Sequence, residues 1–319
     1  MNLGAIFLAM QGAVSQGVLW GIMVLGVYIT YKVLDIADLT VDGSFALGGC
    51  VCAVMVVDKG MDPLLALVIS TIAGMAAGAV TGLLHTMFDI PAILAGILTQ
   101  IGLWSVNLRV MGKSNEPLLK VDTIFTKIVD MFDNLAGQLH MDWLMLKQAT
   151  VSLIIGILIA VVIISFLYWF FGTEIGSTLR ATGNNEHMVR ALGVSTKMTK
   201  LLALTLSNGL VGLAGGLVCQ SQKYADIGMG TGAIVIGLAA IVIGEVLMGR
   251  LKSFASKLSG AVVGSVVYFL IRAIVLQLGM DANDMKLLSA VIVALALCIP
   301  VAVGKWRIWK SYSEEGPIC

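Results

Sequence analysis

The chain has 319 residues and a formal net charge of +1, with 58% apolar residues against 12% Asp, Glu, Lys or Arg. A soluble domain carries roughly 25% charged residues, so this chain lacks the polar surface that a water-soluble globule needs. A soluble enzyme is excluded, as is a nucleic-acid binder held by global positive charge. A polytopic membrane protein remains.

A hydrocarbon core about 30 Å thick needs roughly 20 apolar residues per crossing helix. Residues 1–13 are too few to cross and are expected at the interface. No Lys or Arg occurs before Lys32, so the basic start of a cleavable signal is absent and the chain is expected to stay inserted. The first span covers about 14–31. A polar lead-in, 37–44, carries Asp38, Thr40, Asp42 and Ser44 and opens an apolar run to about 57. The next spans are 63–87 and 91–110. In the first of these, Gly74, Gly78 and Gly82 form a small-xxx-small ladder that reads as close helix packing. The second carries Thr99 and Gln100 at mid-span.

The segment 112–148 is the longest polar stretch. Ile124, Ile128, Met131 and Leu135 recur in it at helical spacing, predicting a surface helix with one apolar side. A span at about 149–171 follows, then the polar loop 173–199, then a span at 200–219 holding Ser207 and Asn208. A second lead-in, 225–232, includes Asp226 and Thr231 and opens an apolar run to about 248. Spans at 258–278 and 286–304 complete the set. The fold class is therefore an all-α polytopic membrane protein of about nine membrane-crossing elements, two of them discontinuous.

The two lead-ins align: Ala37-Asp38-Leu39 matches Ala225-Asp226-Ile227 at an offset of 188. The same shift carries 14–31 to 202–219, 63–87 to 251–275 and 91–110 to 279–298, each near an independently drawn span. The chain reads as repeat one (about 14–110), an extra helix (about 149–171), a loop (173–199) and repeat two (about 200–304). One odd helix between the copies inverts the second, giving an inverted repeat within a single domain.

Ionisable and polar groups at membrane depth are functional candidates by default. Asp38, Thr40, Asp42, Ser44, Thr99, Gln100, Asn208 and Thr231 are the candidates to border a translocation path. For Asp38 and Asp42 an equal alternative stands, that they cap the exposed amides of the broken helices. Glu245, near Arg250, reads as half of an interfacial ion pair, and Arg272 as a snorkelling side chain.

Nucleotide and metal motifs are absent. Gly112-Lys113-Ser114 has the tail of a phosphate loop, but Asn107 stands where its first glycine belongs and a membrane span precedes it. His85, His140 and His187 are scattered, and none of the five cysteines (Cys50, Cys52, Cys219, Cys298, Cys319) falls in a zinc or redox spacing. No cofactor is expected in this chain.

In the loop 173–199, Asn184 or Asn185 can cap a helix of about two turns, with Glu186, His187 and Arg190 polar and Met188, Val189 and Leu192 apolar. Gly193 can end it in a left-handed conformation. The stretch 176–194, with Leu179-Arg180-Ala181, Gly183-Asn184-Asn185-Glu186 and Ala191-Leu192-Gly193-Val194, resembles the coupling loop of ABC-importer permeases. The nearest group is the branched-chain amino-acid permeases, with ribose-type sugar permeases further off. The stretch 26–44 resembles the same family, and Asp38-Leu39-Thr40-Val41-Asp42-Gly43-Ser44 is similar to a subgroup paired with binding proteins for small ligands such as aromatic amino acids. At 39–42 the chain departs from the Asn-Phe-Ala-His-Gly-like run of the branched-chain group.

The resemblance implies a permease dimer in the bacterial cytoplasmic membrane, without an ATP site of its own. It would be served by two cytoplasmic ATPase subunits holding ATP and magnesium, and by an extracytoplasmic substrate-binding protein. It implies that 184–192 is the coupling helix, with Arg180 and Gly183 on its approach arm and Asn184, Asn185, Glu186, Met188, Arg190, Leu192 and Gly193 in the loop. That places 173–199 and the C-terminus in the cytoplasm, and 112–148 outside as a seat for the binding protein. Eleven basic residues then lie inside against nine outside, and the clusters at Arg250–Lys257 and Lys305–Lys310 favour the same orientation. An ion-coupled secondary transporter shares the inverted repeat; in it Asp38, Asp42 or Glu245 would bind the coupling ion.

Overall fold

The computed structural model describes residues 3–119, 121–136, 144–248, 253–280, 284, 287–295 and 298. The elements run α1 (Leu3–Tyr28, continued by a π-helical turn Ile29–Val33), α2 (Thr40–Val57), α3 (Pro63–Met87), α4 (Ala92–Met111), β1 (Asn115–Pro117), α5 (Ile124–Ala136) and α6 (Leu144–Gly172). They continue with α7 (Glu174–Asn184), α8 (Glu186–Ala191), α9 (Thr196–Gln222), β2 (Tyr224–Asp226), α10 (Ala233–Met248) and α11 (Phe254–Gln277). Among the described residues seven helices are long and apolar enough to cross a membrane, and α10 is a shorter apolar eighth. The ninth expected span, 286–304, is described only at 287–295 and 298, which are helical.

Three local expectations change. Residues 3–13 are the first turns of α1 rather than a separate interfacial piece, since nothing breaks the helix before Tyr28. The second helix begins at Thr40, so only 34–39 is non-helical there. Between the spans, Asn115–Pro117 pairs antiparallel with Tyr224–Asp226, joining the loop after α4 to the loop after α9. Three-residue strands with one buried side chain each carry no readable alternation, which is why the sequence does not announce them.

Helices α1, α2 and α9 are innermost. α1 packs on α11, α9 and α6; α9 packs on α3 and α2; α10 packs on α11 and α1. Within lipid no hydrophobic force draws helices together, so close backbone approach supplies the packing. The glycine ladder does this between α3 and α9: a Cβ at Gly74 or Gly78 would strike the Asn208 or Leu204 carbonyl. Outer helices keep apolar faces outward, as with Leu98 and Ile101 on α4 and Leu158 and Val162 on α6.

The surface helix predicted between the fourth and fifth spans is α5. Phe125 is buried, and Ile124 and Ile128 pack against the core, while Met131 and Leu135 lie outside the described side chains. Gln220, at the end of α9, accepts the Ile124 N–H at 3.0 Å and donates to the Pro63 carbonyl at 2.9 Å, so one buried amide fixes the starts of α5 and α3. Lys127 on α5 adds an ion pair to Asp62 at 2.8 Å.

Candidate functional site

The first broken element leads into a buried polar knot. Asp38 sits in the non-helical segment with both carboxylate oxygens occupied: Oδ1 accepts the Thr40 N–H at 2.9 Å and Oδ2 accepts Asn208 Nδ2 at 2.6 Å. Asn208, on α9, accepts from Ser44 Oγ at 2.6 Å and donates to the Leu204 carbonyl at 3.0 Å. The Thr40 hydroxyl meets that of Thr81 on α3 at 2.7 Å. Side chains from α2, α3 and α9 thus satisfy one another where neither water nor lipid can, as buried polar groups must be.

Asp42, in the first turn of α2, reaches a different partner. Its Oδ2 accepts the Gly232 N–H at 2.8 Å and its Oδ1 accepts the Ile234 N–H at 2.9 Å. An acid of the first broken element therefore caps α10, the helix of the second, supplying negative charge to its N-terminus. Of the sequence candidates, Asp38, Thr40, Ser44 and Asn208 come together. Asp42 lies beside them, directed to α10. Thr99 instead bonds back to the Ala95 carbonyl at 3.0 Å, half-buried Gln100 packs by its backbone against Gly43, and Thr231 is exposed in the turn before α10. Thr81 is a member the sequence reading did not single out; a hydroxyl beside Gly78 and Gly82, on the face that meets α9, was the available signal. Ser207, next to Asn208, holds the Gly26 carbonyl of α1 at 2.7 Å. Glu245 pairs with Lys32 at 3.0 Å; Arg250 lies outside the described residues.

The second candidate site is the hairpin 174–195. Its approach arm, read in the sequence as part of the polar loop 173–199, is the helix α7, capped by Thr173. Gly183 lets α7 press on the π-helical turn, where a Cβ would strike the Val33 carbonyl. α8 is the short predicted helix: the Asn185 side chain accepts the Met188 N–H at 3.0 Å, and Gly193 ends it at φ +84°. Glu186 accepts from Lys200 Nζ at 2.6 Å, Thr196 Oγ1 at 3.1 Å and Arg190 Nη2 at 3.0 Å. Chiefly through Lys200, these partners hold its carboxyl below the usual carboxylate range. With Val189 buried, α8 is tied to α9 at its base and exposes Met188 (48%) and Leu192 (74%). Beside it, a cavity of about 890 Å³ is bordered by Tyr31, Lys32, Asp35, Arg180, Asn184 and Met188.

Three similarities bear on these sites. The family model described as branched-chain amino acid transport system, permease component, matches residues 9–299, which include both motifs. A tyrosine transport system permease protein of Clostridioides difficile (strain R20291) is 35% identical over 287 residues, covering 89% of this chain and 90% of that protein. The ribose import permease protein of Escherichia coli (strain K12) is 25% identical over 266 residues, covering 82% and 76%. A multi-pass bundle, a match that runs through nearly its whole length and a relative above 30% identity agree: the chain belongs to the branched-chain amino acid transport system permease family and is a membrane permease subunit of an ABC importer.

Proposed function

We propose that this permease imports an amino acid, with an aromatic substrate favoured over a branched-chain one. Support comes from the similarity to a tyrosine transport permease along nine-tenths of both chains. The Asp38–Ser44 sequence, unlike the run of branched-chain permeases, points the same way. In this reading α8 is the coupling helix. It seats in a cytoplasmic ATPase that binds ATP and magnesium, and this chain contributes no nucleotide site. Two permease copies, two ATPases and an external binding protein make the working complex in a bacterial cytoplasmic membrane, with 173–199 and the C-terminus inside and 112–148 outside.

One observation carries the reading. A six-residue helix is unstable alone, yet α8 is capped, closed at Gly193 and ion-paired to α9, with Met188 and Leu192 left bare. A rigid polar base under exposed apolar side chains is what a docking contact requires. Closure of the ATPases would draw two such helices together and act on the bundle through α7 and the turn 29–33, which Gly183 holds in contact. The helix pairings α3 with α9 and α1 with α11, which exchange under the 188-residue offset, support the inverted repeat.

The test is co-purification of the native complex in mild detergent. Wild type should bring down a stoichiometric ATPase carrying a complete phosphate-binding loop, and Met188→Glu with Leu192→Glu should lose it while the permease stays folded. Unimpaired association and uptake in that double variant would overturn the assignment of α8. Competition of binding-protein-dependent uptake by tyrosine, leucine and ribose would then order the substrate classes.

A further inference from the structure

We propose that Arg180 and the cavity beside it form a binding site for the phosphate of an anionic membrane lipid. The cavity, about 500 Å³, lies between the end of α6, the start of α7 and the start of α11, and Tyr168, Trp169, Thr173, Ser253 and Phe254 border it with Arg180. No carboxylate lines it. Among the described residues Arg180 has no acidic partner. Its guanidinium instead lies 5.1 Å from the centre of the Phe254 ring, which itself packs edge-on to Phe171 at 5.1 Å. Stacking on an aromatic face fixes the plane of a guanidinium and leaves its N–H edge available for the paired bonds that a phosphate accepts.

The surroundings select a lipid over a soluble anion. Gly172 ends a strongly apolar span whose outward Leu158 and Val162 meet the acyl region, and Tyr168 (56%) and Trp169 (66%) are exposed in its last turn. Exposed Trp and Tyr at the end of a span mark headgroup level. A phosphate at Arg180 would therefore sit at the depth of lipid phosphates, with its acyl chains continuing along α6. Ser253 precedes α11 without capping it, so its hydroxyl is not spent on the helix. A bound lipid would tie α6 to α7 and so fix the base of the hairpin that carries α8. The site stands whether or not α8 meets an ATPase.

The test uses the full-length chain in mild detergent. It compares retention of phosphatidylglycerol and phosphatidylcholine of identical acyl chains by native mass spectrometry, with millimolar inorganic phosphate as a separate competitor. A cation near the membrane surface attracts anionic lipid enough for about a fivefold preference. Wild type should prefer phosphatidylglycerol to that extent. Arg180→Gln should lose the preference, Arg180→Lys should keep part of it, and Arg272→Gln, at the other stacked arginine, should keep it whole. Equal retention of the two lipids by wild type, an undiminished preference in Arg180→Gln, or an equal loss in Arg272→Gln overturns the proposal. Displacement by free phosphate would make this a soluble-anion site and overturns the lipid assignment. If Arg180→Gln does not fold, Arg180→Lys and the wild-type competition decide alone.

Discussion

Replacing Asp42 tests how the two broken elements depend on one another. Its carboxylate accepts two backbone N–H bonds, at 2.8 Å from Gly232 and 2.9 Å from Ile234, while the turn before α10 itself takes the Ala233 N–H on the Gly230 carbonyl. Hydrogen bonds to a charged group contribute roughly 1.5–3 kcal/mol each, which sets a ceiling of about 3–6 kcal/mol for the pair. Two effects reduce that figure. Helix caps removed by substitution cost at most about 2 kcal/mol in soluble hosts, and Asp42 is only half-buried, so solvent replaces part of what is lost. We expect Asp42→Ala to destabilise the chain by about 2–3 kcal/mol, above the usual cap because two bonds and a helix-dipole contact disappear together. Asp42→Asn keeps one acceptor oxygen and should lose about half as much. The assay is unfolding of the purified chain in mixed micelles, followed by far-ultraviolet circular dichroism, with accessibility of a thiol-reactive probe at a cysteine placed in the turn 228–232 as a local readout. Losses under about 0.5 kcal/mol in Asp42→Ala, or an Asn variant as impaired as the Ala variant, would refute the cap.

Other consequences follow from the same geometry. Gly183→Val should separate α7 from the turn 29–33 and lower stability by about 1–3 kcal/mol, as overpacking does, whereas Gly172→Ala, which meets open space, should be silent in the same melt. Asn208→Leu leaves one oxygen of the Asp38 carboxylate without its donor, at about 1–3 kcal/mol, while Ser44 can turn to the Thr40 carbonyl; Asn208→Asp removes the same donor and sets a second carboxylate against Asp38, so it should destabilise at least as much, and thermal unfolding in detergent ranks the two. Glu186 has a folded pKa below its unfolded value, so its ion pairs contribute fully above the unfolded value and are lost as pH falls through the folded one. Protection of the Met188 and Val189 amides, taken as exchange relative to the intrinsic rate at each pH, should therefore fall on acidification towards and below the ordinary carboxylate range, by a small factor because the group is largely solvated, and Glu186→Gln should flatten that dependence.

The spans were legible because composition and length decide them. Apart from α1, which starts well before its expected span, the long helices and α10 fall within about five residues of the apolar runs, and the α3 ladder was readable because glycines four apart on an apolar helix have few uses besides close contact. The hairpin's ends were legible too, since Asn185 and Gly193 carry chemistry specific to helix starts and stops. What could not be read was partnership. Asp38 and Asp42 are four residues apart and equally buried-looking in sequence, yet one closes a knot with α9 while the other crosses to α10, and only the tertiary arrangement distinguishes them. Thr81 stayed hidden for the same reason: a threonine can satisfy its hydroxyl within its own helix, and only the approach of α2 brings Thr40 to it.

The use made of the acids also separates ATP-driven from ion-coupled transport. A coupling-ion site needs a carboxylate that can exchange its partner for a cation during each cycle. Asp38 has both oxygens in hydrogen bonds to Thr40 and Asn208, Asp42 has both on the amides opening α10, and Glu245 faces Lys32. Freeing either of the first two leaves helix-end amides or a buried side-chain amide unpaired, and a cation cannot accept their N–H bonds in the carboxylate's place. Within this bundle the carboxylates hold broken helices together, and the free energy for opening the path must enter from elsewhere. The permease family to which the chain belongs draws it from ATP, and in the proposed function it enters through the α7–α8 hairpin, tied to α9 at its base and apolar at its tip.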